Sequence, residues 1–93
     1  MSEIQEMRDT IRRLHGVEST HDESVRVIEE FNGTTVWDGV VEVFQLHNHH
    51  QAPKIYVWAN NTEDKRSRVV TVLHANYVTS PVLAVRAFVV RKS

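Results

Sequence analysis

Three histidines fall close together at His47, His49 and His50, and another, His74, lies in a β-rich run further along. On an extended strand His47 and His49 project to the same side. If the strand holding them neighboured the one holding His74, the imidazoles of His47, His49 and His74 would converge into a Zn²⁺ or Ni²⁺ site. The competing reading is a polar hairpin loop that contains histidines. No partner residues at fixed spacing accompany them, and Asp38 and Glu42 are the only carboxylates on the preceding strand. The string His47-Asn48-His49 is not a nuclease signature, because such motifs draw their residues from separated positions in a ββα unit. The chain has no cysteine, which excludes a thiolate metal site, a cysteine nucleophile and a disulfide framework.

The carboxylates point away from catalysis. Asp22–Glu23, Glu29–Glu30 and Glu63–Asp64 are adjacent pairs in polar stretches, and neighbours on a strand face opposite ways, so such a pair cannot flank one substrate. Only three glycines are present, and they build no phosphate loop; no serine sits in a nucleophile elbow. The expectation is a binding or interaction module with no catalytic residues and no cofactor.

Aromatic and basic residues offer a second chemistry. Trp37, Phe44, Tyr56, Trp58 and Tyr77 come from strands or their ends, and an open sheet with exposed aromatics can stack the bases of single-stranded nucleic acid. Tyr56 or Trp58 would stack, while Lys54, Lys65, Arg66 and Arg68 would contact phosphates. Against this, the net charge is -1, the basic-Gly-aromatic signature of RNA-binding sheets is missing, and Pro81-Val82 stands where double-stranded RNA-binding domains place paired lysines. Core or dimer packing accounts better for the aromatics.

The elements that must position these residues are legible from periodicity. Ile4, Met7, Ile11 and Leu14 recur at helical spacing, with Ser2 and Gln5 as a capping box and Gly16 as the stop. Glu18 to Ser24 reads as a connector. Asn32-Gly33 between two apolar runs predicts a type I′ hairpin, with strands over 24–31 and 35–46. Alternation resumes over 54–59 and, after a solvated loop from Asn60 to Arg68, a β-branched run predicts a fourth strand over 69–75. Ser80-Pro81 is a helix-start signature. For 82–90 a strand is the rival because the run is so β-branched, but Val82, Val85 and Val89 form one stripe with Arg86 off it, which favours a helix.

Together these predict one α+β domain over residues 1–93, a two-layer sandwich in which N- and C-terminal helices cover one face of a four-stranded antiparallel sheet in the order α-β-β-β-β-α. At 41% hydrophobic the chain can fill one core. Strand two carries apolar residues on both faces, Val36, Val40, Phe44 and Leu46 on one and Trp37, Val41 and Val43 on the other. With one face open, this predicts a partner on the outer face, namely a homodimer formed through the sheet. No apolar run approaches a membrane span, and no basic-then-apolar leader opens the chain, so a soluble cytoplasmic protein is expected.

Trp37-Asp38-Gly39-Val40-Val41-Glu42-Val43-Phe44, Tyr56-Val57-Trp58-Ala59, Val72-Leu73-His74 and Ser80-Pro81 with Ala84-Val85-Arg86-Ala87 resemble, over about 36–88, small bacterial proteins of unknown function with the same order of segments. Those proteins commonly have Gly-His-Pro at the turn where this chain has Asn48-His49-His50. The resemblance implies the fold and no activity, ligand or catalytic residue.

Overall fold

The computed structural model describes residues 3–61 and 67–92, with the side chains of residues 60, 61, 67, 68 and 90–92 left aside. The elements are α1 (Glu3–His15), β1 (Ser19–Phe31), β2 (Thr34–Leu46), β3 (Lys54–Asn61), β4 (Ser67–Leu73) and α2 (Pro81–Lys92). The strands form one antiparallel sheet in the order β1-β2-β3-β4. The α+β class and the α-β-β-β-β-α order are as the sequence predicts. Among the described residues no helix is long and apolar enough to cross a membrane.

Local chemistry explains the boundaries. Gly16 takes φ 71° and its N–H closes α1 onto Arg12 O at 2.9 Å, the left-handed stop that a side chain would oppose. Ser2, the expected cap, lies outside the described residues. Asn32 and Gly33 take φ 53° and 77° in the β1–β2 turn, the positive pair that a type I′ hairpin requires. Ser80 Oγ accepts from Leu83 N–H at 3.3 Å, so 81–92 is a helix capped by its hydroxyl and not a strand.

The helices do not share a face. Met7 and Ile11 of α1 pack with Phe44, Leu46, Ile55 and Val57, whereas Ala84 and Val85 of α2 pack with Val41, Val43, Tyr56 and Trp58. Consecutive strand residues point to opposite sides, so α1 and α2 cover opposite faces and the sheet lies between them. This corrects the placement of both helices on one face, and it removes the reason given for a partner. Phe44 and Leu46 on one face of β2 and Val41 and Val43 on the other are each covered by a helix of the same chain.

The segment expected to be a connector, Glu18 to Ser24, is mostly strand: β1 begins at Ser19. The register steps between His21 and Glu23, leaving Asp22 unpaired as a bulge. The bulge exchanges the faces. Ser19 and His21 lie opposite Leu46 and Phe44 on the α1 side, while Glu23, Val25 and Val27 lie opposite Val43, Val41 and Gly39 on the α2 side. Gly39 suits this position, since a Cβ would sit 3.0 Å from the Trp37 indole and push it aside. Trp37 in turn packs edge-on against Trp58, and Trp58 against Phe88, with centroids 5.6 and 5.4 Å apart.

Two regions escape this three-layer packing. β3 pairs with only Glu42 to Gln45 of β2, so the β1–β2 hairpin extends as an arm whose α2 side is covered and whose other side is open. Ile28, Val36 and Val40 remain exposed on the arm at 52%, 42% and 47%. The second region is the free edge of β4.

Candidate functional site

The histidines considered for a metal site are each tied to a different neighbour. His47 Nε2 shares a 2.7 Å hydrogen bond with Thr20 Oγ1. Asn48 takes φ 63°, and His49 Nδ1 then accepts from Gln51 N–H (3.1 Å) and Ala52 N–H (3.0 Å). That turn drives Ala52 into the α1-side core. His74 lies one residue beyond β4, not in its middle, and β3 separates β2 from β4. Its Nδ1 meets Tyr56 Oη at 2.9 Å. Burial raises the Tyr56 phenol above its ordinary range, so the phenol keeps its proton. Among the described residues no three His, Asp or Glu side chains are grouped so that they could hold a metal ion.

The aromatic residues proposed for nucleic acid do not form an open stacking surface. Tyr56 and Trp58 are buried at 2% and 1%, facing α2 and unable to stack on a base. Lys54 begins β3, where its carbonyl accepts from His74 N–H. Arg68 pairs with Asn60 in the ladder, its side chain not described; Lys65 and Arg66 lie outside the described residues.

A polar cluster that the sequence reading passed over sits at the β1 bulge. His21 Nε2 lies 2.8 Å from Glu42 Oε1 and 3.5 Å from Ser24 Oγ, and Ser24 donates directly to Glu42. A hydroxyl–imidazole–carboxylate relay needs the two ring nitrogens on different partners. Here one nitrogen faces both, so the cluster fastens the edge strand to β2 and does not activate Ser24.

The arrangement best suited to binding is the outer edge of β4. His74 N–H donates to Lys54 O at 3.0 Å, which continues the β3–β4 register by one pair. In an antiparallel ladder hydrogen-bonded pairs alternate with non-bonded ones. The even residues Val70 and Val72 therefore bond to β3, and Val69, Thr71 and Leu73 turn their N–H and C=O groups outward. Ala75, the next outward residue, exchanges both its hydrogen bonds with Val78 at 3.0 Å. The open edge thus stops cleanly at Leu73.

A groove of ≈ 450 Å³ straddles this edge. On the α1 side it is lined by His15, Thr71 and Leu73, and on the α2 side by Val70, Val72, Val78, Ala87 and Phe88, with Ala75 and Tyr77 completing the lining. Tyr77 stands at the rim, 87% exposed. Among the described residues the lining contains no carboxylate, lysine or arginine. His15 Nε2 lies 3.3 Å from Thr71 Oγ1. Burial first, and then the His49 imidazole at 6.4 Å between centroids, hold His15 below the ordinary histidine range, so it is neutral at neutral pH. The sequence signal was available in Val69-Val70-Thr71-Val72-Leu73, a β-branched run without charge, Pro or Gly, but nothing in it says that the strand lies at an edge. Compared with family models, with curated proteins and with solved structures, the chain matches none of them.

Proposed function

We propose that this chain is a protein-interaction module that binds an extended polypeptide segment as a fifth strand along β4. The observation that supports this reading most is the pairing of outward backbone groups at Val69, Thr71 and Leu73 with an uncharged groove across the same edge. Strand addition takes affinity from main-chain hydrogen bonds and specificity from pockets for alternate side chains. The groove favours a segment whose alternate residues are apolar on the α2 side, against Val70, Val72 and Phe88, and small or hydroxylated on the α1 side, beside His15 and Thr71.

The test is a random-peptide display selection on the wild-type chain, counter-screened with Thr71→Pro. Proline at an outward position removes a donor to the added strand without removing a bond to β3. Enriched peptides should alternate in polarity and lose binding to Thr71→Pro. Peptides that bind both proteins equally would refute the reading.

Self-association is a second reading, supported now by the exposed Ile28, Val36 and Val40 of the arm rather than by the two apolar sets of β2. Single-stranded nucleic-acid binding has less support, because its stacking residues Tyr56 and Trp58 are buried.

A further inference from the structure

The arm's open face carries a charged pair and an apolar pair in alternation. Arg26 lies across from Val40, and Ile28 lies across from Asp38. With all four on the face away from α2, they form a square: Arg26 and Asp38 occupy one diagonal, Ile28 and Val40 the other. The charged diagonal is closed within the chain, Arg26 Nη2 reaching both Asp38 oxygens at 2.9 and 3.1 Å. The apolar diagonal is half-exposed, at 52% for Ile28 and 47% for Val40.

We infer that this face is an isologous dimer interface in which Arg26 and Asp38 exchange partners between two copies. The inference rests on the self-association reading above and names its surface. A two-fold axis laid along the apolar diagonal places Ile28 on Ile28 of the second copy and Val40 on Val40 of the second copy. The same operation places each Arg26 on Asp38 of the second copy. Such an axis crosses the two arms at a steep angle, as in orthogonal sheet packing. The patch is thus complementary to itself in both charge and hydropathy, as a two-fold interface must be. An unrelated partner would have to reproduce the same alternation. The existing ion pair becomes a four-membered network that flanks two apolar contacts.

Analytical ultracentrifugation of the full chain over a wide concentration range tests this. The wild type should dimerise, and Val40→Lys should weaken the dimer by about 30-fold or more, as loss of a central contact does. Arg26→Asp should weaken it as well, by setting a carboxylate at position 26 against Asp38 of the second copy, and the double variant Arg26→Asp, Asp38→Arg should restore it. All three sites are exposed, so unchanged thermal melts would show that the fold is kept. A wild type that stays monomeric at millimolar concentration would overturn both self-association and this interface. A dimer indifferent to Val40→Lys and Arg26→Asp would overturn the interface alone and leave self-association to another surface. Loss in both single variants without restoration in the double one would overturn the exchange of Arg26 and Asp38.

Discussion

The sheet has two edges, and they are built by opposite rules. β1 is 13 residues long, is interrupted by the Asp22 bulge, and carries Asp22, Glu23, Arg26, Glu29 and Glu30. Its distal part is further held by Arg86 of α2, whose Nε lies 2.6 Å from Glu29 Oε1. β4 keeps one unbroken register with β3 and presents five consecutive uncharged residues from Val69 to Leu73. Unpaired strand edges invite pairing with other chains, and proteins blunt them with bulges, charges and proline. β1 uses two of these devices and β4, from Val69 onward, uses none. The difference leaves β1 protected and β4 open, which is what the proposed strand addition requires.

The comparison can be broken most severely by confusing the two sides of β4 itself. Val70→Pro removes a bond to β3 and orphans a buried acceptor, and should cost about 3 kcal/mol in urea unfolding. Thr71→Pro, one residue on, should cost under about 1 kcal/mol because its N–H has no partner in β3. Equal losses would mean that the inward and outward assignments are wrong. Phe88→Ala should cost about 2 kcal/mol, since it removes the ring packed on Trp58 and widens the groove. Peptides selected on the wild type should then favour a bulkier residue on the α2 side.

Stripping β1 sharpens the contrast from the other side. Glu23→Val with Glu30→Val should leave stability within about 0.5 kcal/mol, as surface changes usually do, yet promote concentration-dependent association read by light scattering. Absence of any association would mean that charge is not what guards β1.

The smallest effect concerns pH. His15 binds its proton more weakly in the folded chain than at its ordinary value of 6.5, so the unfolded chain takes up protons first as pH falls. Its contribution to stability is therefore complete above that value and is lost as pH drops through it toward the folded value. Chemical melts across this range should show stability declining on acidification, with part of the slope removed in His15→Gln. An unchanged slope would place the titration elsewhere.

Much of the fold was legible in the residues. Asn32-Gly33, Gly16 and Ser80-Pro81 fix backbone conformations or donate caps by local chemistry alone, and each occurs where expected. The start of β1 was not legible, because polar residues on an edge strand look like a connector and a bulge at Asp22 breaks the alternation that would reveal them. The two faces of β2 did hold the answer to helix placement. Phe44 and Leu46 against Val41 and Val43 required two covers, and one cover was assigned to a second chain when α1 and α2 supply both. The histidine cluster failed as a single grouping for a related reason. Spacing put His47 and His49 on one side, but strand order, which decides whether His74 meets them, is not written locally. The β4 edge depends on that same order.

Hydrogen exchange along β4, residue by residue, tests the central claim most directly. In the free chain the amides of Val69, Thr71 and Leu73 should exchange fast while those of Val70 and Val72 are protected, and a selected peptide should slow the first set and leave the second unchanged. Uniform protection along β4 in the free chain, or peptide-induced protection on β1 instead, would contradict the assignment of β4 as the binding edge.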